Sequence, residues 1–462
     1  MVDEAIREQS PSHGMSAMQR TWLAFCLTAV LVTNSICWAR FERASLGTYA
    51  LAALSWMFRH SKIPWEELLV ASVRGILRHY GILSGSLVID DTDNKRSKSA
   101  KALAHLYKLR DQESGGYLWG PSLVFLLLVT PKISIPVGGA FYQPAPELSA
   151  WDKKEKALKK QGVAKPQRPP KPPTNPASPT KQQLALRLLA RFHAQYPTLR
   201  VHCITADALY GTAPFVDGAA GLFGGVQGIS QRRSKQKVRG HKRAQHVADY
   251  FATHPGMPHS IRIRGGEEVV AIVGSARLSG CSHKTKRFVV ALKYEGEETS
   301  RYLIASDLSW RTLDIVQGQT LRWLVEVFMQ DWKLHEGWSQ LTKQPGEEGA
   351  RHSVILSRLV DHSLFVHPDQ QDQLKNNLPA YTVGSLRANV QVECLVDVID
   401  DLVSSDEPQD KLKRFTKALH AVFAFSRSKK HMIQRQWGRL EPTPSLRYRA
   451  DEVMRNIPVM ST

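Results

Sequence analysis

The chain has 462 residues, too many for a single compact core, which points to two to four structural units. Its 42% hydrophobic and 23% charged content is that of a folded protein and excludes global disorder. With 62 Lys and Arg against 42 Asp and Glu, the formal net charge of +20 calls for a polyanionic partner, of which nucleic acid is the commonest.

Residues 17–80 carry apolar side chains at helical spacing, through Leu51, Leu54, Trp56, Met57 and Phe58 and again through Leu68, Leu69, Val73, Ile76 and Leu77. They form a helical N-terminal unit over 1–80, either a DNA-binding module or a packing subdomain. Residues 21–38 approach membrane-span length, but Thr21, Thr28, Thr33, Asn34 and Ser35 interrupt them, so a buried helix is expected and no membrane partner. Cys26, Cys37, Cys203, Cys281 and Cys394 form no C-x-x-C pair. This excludes a disulfide framework and a zinc ribbon, and fits a reducing cytoplasm.

The pattern changes at Gly81. Three strand-like runs follow, Gly85 to Asp90, Ser122 to Thr130 and Ile133 to Phe141. Residues 152–181 then hold nine Lys or Arg and seven of the 25 prolines, the composition of an extended basic insertion. Helical spacing returns at Gln183 to Leu189, and a strand from Leu199 to Ile204 leads into Asp207. This β-β-β-α-β order is that of an RNase H-like core, whose first part spans 81–227. Alternating runs between Gly-containing turns make 228–315 an all-β insertion. A core helix occupies 316–345, and a helical C-terminal region 346–462. The expected fold is therefore α/β: an RNase H-like catalytic core interrupted by an all-β insertion, with helical N-terminal and C-terminal regions.

Three carboxylates stand out. Trp323, Leu324, Val325, Val327, Phe328, Met329 and Trp332 are apolar around most of their helix, yet Arg322, Glu326 and Lys333 share one stripe at spacings of four and seven. Charges on a buried helix are costly unless paired or bound to metal. An intrahelical Arg322–Glu326 ion pair accounts for two of them. Asp91 and Asp207 follow strands, where acids are also ordinary turn formers. Together, three such carboxylates can hold two Mg²⁺ or Mn²⁺ ions about 4 Å apart and serve phosphodiester cleavage.

These residues resemble the DDE transposases of bacterial insertion sequences, specifically the insertion-sequence-four type, over roughly residues 80–345. Asp91 in Ile89-Asp90-Asp91-Thr92 is similar to the first catalytic Asp, with Asp90 as the alternative. Asp207 in Ala206-Asp207-Ala208-Leu209-Tyr210-Gly211 resembles the second. Arg322, Glu326 and Lys333 keep the spacing of the third motif, with Gln319 where the family has Tyr. The resemblance implies a metal-dependent transposase that cleaves and joins DNA at terminal inverted repeats. Asp91, Asp207 and Glu326 would be its catalytic metal ligands, and Arg322 and Lys333 would hold phosphate. It also implies a flipped base stacked on an aromatic, for which Trp310 is the candidate, although packing is the more ordinary role for such a tryptophan. Double-stranded DNA (transposon ends and target) is the expected partner, bound by a homodimer in a bacterial cytoplasm. Seven basic residues between Gln231 and Arg243, Arg232 and Arg233 among them, make one phosphate track. The basic insertion makes a second, and Arg427, Lys429, Lys430, Arg435 and Arg439 a third. The alternative reading is a catalytically silent, transposase-derived DNA-binding protein.

Overall fold

A computed structural model describes residues 2–7, 14–94, 103–110, 116–173, 175–239, 244–263, 266–280, 283, 285–338, 344 and 346–422. Five helices come first: α1 (Val2–Arg7), α2 (Ala17–Thr33), α3 (Trp38–Ala44), α4 (Leu51–His60) and α5 (Trp65–His79). Strand β1 (Ser84–Asp93) precedes a small hairpin, β2 (Tyr107–Arg110) with β3 (Tyr117–Gly120), and then β4 (Ser122–Val129) and β5 (Ser134–Tyr142). Next are α6 (Pro146–Lys160), α7 (Lys181–Gln195), β6 (Arg200–Ala206), α8 (Ala213–Leu222) and β7 (Gln227–Arg232). The β-rich stretch continues as β8 (Lys237–Arg239), β9 (Ala244–His246), α9 (Val247–Thr253), β10 (Met257–Arg262), β11 (Glu268–Gly280), β12 (Lys286–Tyr294) and β13 (Arg301–Ala305). Six helices close the described chain: α10 (Thr312–Thr320), α11 (Trp323–His335), α12 (Gly346–Phe365), α13 (Pro368–Lys375), α14 (Val383–Val403) and α15 (Pro408–Val422).

Eleven strands form one mixed sheet in the order β5-β4-β1-β6-β7-β13-β12-β11-β8-β9, with β10 also on β11. Strands β1, β6 and β7 are mutually parallel; β4 runs antiparallel to β1, and β5, antiparallel to β4, runs in the direction of β1 again. The β-β-β-α-β order expected from sequence is thus present. Sequence reasoning ended the core at residue 227. In the structure β7 begins there, pairs with β6, and joins the core to β13, so the β-rich stretch extends the same sheet.

Every residue of β4 is buried. Strand alternation explains how. Leu123, Phe125, Leu127 and Val129 share a core with α2–α5, α11 and α12, whereas Val124, Leu126 and Leu128 pack into a second core with α7 and α8. Each such side chain contributes about 1.5–3 kcal/mol on burial. The N-terminal helices therefore belong to the central core. Among the described residues no single helix is long and apolar enough to cross a membrane. Helices α2 and α3 pass such a test only together, bent by 94° at their junction, and Trp22, Leu23, Cys26, Leu27 and Val30 of α2 are buried.

Two expected elements differ. The basic insertion is helical in its first half: Pro146 starts α6, Glu147 lies in the first turn and Lys159 and Lys160 in the last, matching the helix dipole. No α6 residue is buried, but the proline-rich return folds back on it. Trp151 donates to the Pro169 carbonyl at 2.8 Å, and Arg168 pairs with Glu155 at 2.9 Å. Second, the long core helix is broken in two. Around Leu321 and Arg322 the backbone bonds run i to i+3, Leu324 to Leu321 and Val325 to Arg322, a tightened turn that separates α10 from α11.

Helix α11 is anchored by aromatics. Trp332 lies 4.7 Å from Phe125 and stacks on Trp338 at 4.5 Å. Beyond it, buried Glu336 lies by buried Asp361 of α12, and burial, with the charge of Asp361 on Glu336, pushes both carboxyl groups upward. The folded pair thus keeps a proton that the unfolded chain releases above pH ~4. The folded state binds more protons, so stability falls as pH rises from there until the pair itself ionises. Glu336→Gln is expected to flatten the decline in melting temperature between about pH 5 and 8. An unchanged slope in a thermal-melt series would contradict this account.

Candidate active site

The C-terminal ends of β1 and β6 lie side by side, because Ile89 pairs with Ala206. Asp90 and Asp91 continue β1, and Asp207 follows β6. The Asp207 turn is closely held: its carboxylate accepts from the Leu209 amide at 2.9 Å, and its carbonyl accepts from Ser230 at 2.6 Å. Gly211 is required here, since a Cβ would stand 2.7 Å from the Gln231 carbonyl oxygen.

Alternation divides the two β1 acids. Asp90 has the parity of Val88, on the α11 side of the sheet, and accepts from Arg322 Nη1 at 2.8 Å. Arg322 Nη2 donates to Glu326 at 2.6 Å, so one guanidinium joins β1 to α11. Asp91 has the parity of Ile89, on the α7 side, and there meets the Lys181 ammonium. The neighbouring Gln182 donates to the Leu209 carbonyl at 2.6 Å and accepts from Thr212 at 2.9 Å, tying the start of α7 to the Asp207 turn. The structure thus joins Asp90 to Glu326 through Arg322 on one face and sets Asp91 with Lys181 on the other, with Asp207 beside the two β1 acids.

Crowding marks the cluster electrically. Burial, with smaller contributions from Asp207 and Asp91, raises the Asp90 carboxyl to about 7 against the pull of Arg322. Asp207 is raised by burial and then by Asp91. Tyr210 is fully buried, and burial together with Asp91, Asp207 and Asp90 pushes its phenol far above the usual range. Its hydroxyl has no hydrogen-bond partner among the described residues.

The donors suit a hard divalent cation: all are carboxylate oxygens, on rigid strand ends and one helix. Their oxygens do not all converge to single-ion spacing. Lys181 and Arg322 stand among them as the positive charges that a metal would otherwise supply. Among the described residues, His367, Asp369 and Glu393 are the set whose ligand atoms lie within 4.8 Å of one another, and both of those acids are exposed. That set belongs to α13 and α14, away from the strand ends.

The remaining expected residues are dispersed. Lys333 lies half-buried on α11, two turns beyond Glu326. Helix α11 is less enclosed than its composition suggests, since Trp323, Gln330 and Leu334 are exposed. Gln319 is buried on α10, where the Tyr of the resembled motif would stand. Arg232 is buried and donates to Gln236 at 3.0 Å and to the Lys237 carbonyl at 3.3 Å, so it braces the β7–β8 turn and does not present an open phosphate contact. Arg233 is exposed beside Lys235, Lys237 and Arg239. Trp310 packs by Arg200–His202 and Gln227, where β6 and β7 begin, whereas Asp207 follows the far end of β6. Lys242, Arg243 and the basic residues 427–439 lie outside the described residues.

Sequence reasoning missed Lys181 and Tyr210 as members of the cluster. Lys181 looked like the last charge of a basic insertion, and only the fold shows that this insertion ends against Asp91.

No family model matches the chain. No curated protein matches it. Among solved structures the chain is similar to the piggyBac transposase in its synaptic complex with hairpin DNA, determined by cryo-EM. The identity is 10% and the TM-score 0.42, over 90% of this chain and 81% of that one.

If Lys181 offsets the carboxylate repulsion, Lys181→Met should lower the melting temperature of the metal-free protein. A double-mutant cycle with Asp91→Asn should give a coupling of about 1 kcal/mol. Strictly additive single effects would contradict the assignment.

Proposed function

We propose that the protein is a metal-dependent DNA transposase of the DDE type that cleaves and joins strands at terminal inverted repeats. The observation that supports this reading is the placing of Asp90, Asp91 and Asp207 at the ends of two adjacent parallel strands, with Glu326 of α11 tied to Asp90 through Arg322. The strand order β5-β4-β1-β6-β7, with only β4 antiparallel to the rest, is that of an RNase H-like core and supports the same reading. So does the spacing of Arg322, Glu326 and Lys333, through which the chain resembles the insertion-sequence-four type.

In this reading the carboxylates would hold Mg²⁺ or Mn²⁺. Bound metal would supply activation of the attacking oxygen and stabilisation of the leaving one. The chain's own residues do the positioning. The Asp207 turn is fixed by Ser230 and the Leu209 amide, and α11 is fixed by Trp332, so the acids are held before DNA arrives. Arg322 and Lys181 are the two cations placed to turn from carboxylate to phosphate when the acids take up metal. The exposed lysines of α6, Lys153, Lys154, Lys156, Lys159 and Lys160, precede Lys181 in the chain and offer a backbone track beside the site.

The test is strand cleavage of inverted-repeat DNA with Mn²⁺. Asp207→Asn and Glu326→Gln should each reduce the rate by at least about 10³-fold, and Asp90→Asn and Asp91→Asn by at least about 10²-fold, with DNA binding retained. Wild-type rates in Asp207→Asn and Glu326→Gln would overturn the assignment. Tight binding without any cleavage by the unaltered chain would instead favour the silent DNA-binding protein.

A further inference from the structure

A cavity of about 540 Å³ opens beside the edge strand β5, between α5, α7 and α12. Its size is in the range of small-molecule sites. Four arginines line it: Arg187 and Arg191 from α7, Arg351 and Arg358 from α12. Arg358 is only 3% exposed, and its Nε and Nη1 have no hydrogen-bond partner among the described residues. A buried guanidinium with orphaned donors is costly, and burial here holds Arg358 down to about 10.

The acids present do not balance these charges. Glu66 accepts from Arg191 at 2.6 Å and lies 3.8 Å from Arg351, so one carboxylate serves the inner part of the cavity. Glu347 and Glu348 are exposed at the rim, and Glu348 leans towards His352 at 3.8 Å. Three guanidiniums, Arg191, Arg351 and Arg358, thus share Glu66. The surplus along the cavity lining is positive.

We propose that this cavity binds a small phosphate-bearing solute, with Arg358 at its floor and Arg187, Arg191 and Arg351 around its mouth. Planar guanidiniums suit tetrahedral oxyanions through paired N–H donors. A DNA backbone rides over a rim of this kind, whereas a free solute with one or two phosphates can reach a floor as enclosed as Arg358. The site is separate from the carboxylate cluster, and the proposal is independent of the transposase reading.

Calorimetric titration of the full chain with inorganic pyrophosphate, in EDTA and at constant ionic strength, tests it. Saturable binding at a single site is expected. Arg358→Met should weaken it at least about tenfold, the loss of charged hydrogen bonds, while the fold is retained by circular dichroism. Because Arg358 is a core position, the exposed pair Arg187→Gln with Arg351→Gln gives a second test, with about tenfold weakening expected. Glu66→Gln, which removes the competing carboxylate, should tighten binding about threefold. No saturable heat up to about 10 mM pyrophosphate would overturn the proposal. So would equal binding of malonate, or unchanged affinity in the Arg187/Arg351 double variant.

Discussion

Burial of neighbouring carboxylates is the constraint on which the centre of this molecule turns: desolvation raises Asp90 and Asp207, and the adjacent acids add to it. Two adjacent parallel strands deliver these acids to one place, and partial burial strengthens their mutual effect. The surroundings answer with two cations of different origin. Lys181 comes from the first turn of α7 on one side of the sheet, and Arg322 from the break between α10 and α11 on the other. Each reaches its partner because the two β1 acids point to opposite faces.

That division depends on the sheet being covered twice. A fully buried β4 sends alternate side chains into two cores, one closed by the N-terminal helices with α11 and α12, the other by α7 and α8. The contacts of Trp332 with Phe125 and Trp338 set α11 on β4, and so fix where Glu326 stands. The tightened turn at Arg322 places that guanidinium between Asp90 and Glu326. Packing far from the carboxylates therefore determines their geometry.

Much of the fold was legible in the chain. The β-β-β-α-β order followed from apolar runs and turn residues, as did the strand that precedes Asp207 and the helix that carries Glu326. Three features were not legible. The break at Leu321–Arg322 contains no Pro, and its i to i+3 bonds leave no composition signal. Periodicity alone assigns Asp90 and Asp91 to opposite faces, but which face α11 covers is a tertiary fact. The basic insertion was expected to be extended because its prolines dominate the composition; these lie after residue 160, leaving 146–160 free to form a helix. The brace formed by Arg232 and the packed position of Trp310 likewise depend on neighbours distant in sequence.

The claim that these acids form a metal-binding catalytic centre is tested most directly by crystals of the protein grown or soaked with Mn²⁺ and measured for anomalous scattering. The account predicts two peaks about 4 Å apart. They should be shared by Asp207, Glu326 and the β1 acids, with the Lys181 ammonium displaced from Asp91. Anomalous density at His367, Asp369 and Glu393 alone, with the strand-end carboxylates still paired to Lys181 and Arg322, would contradict it.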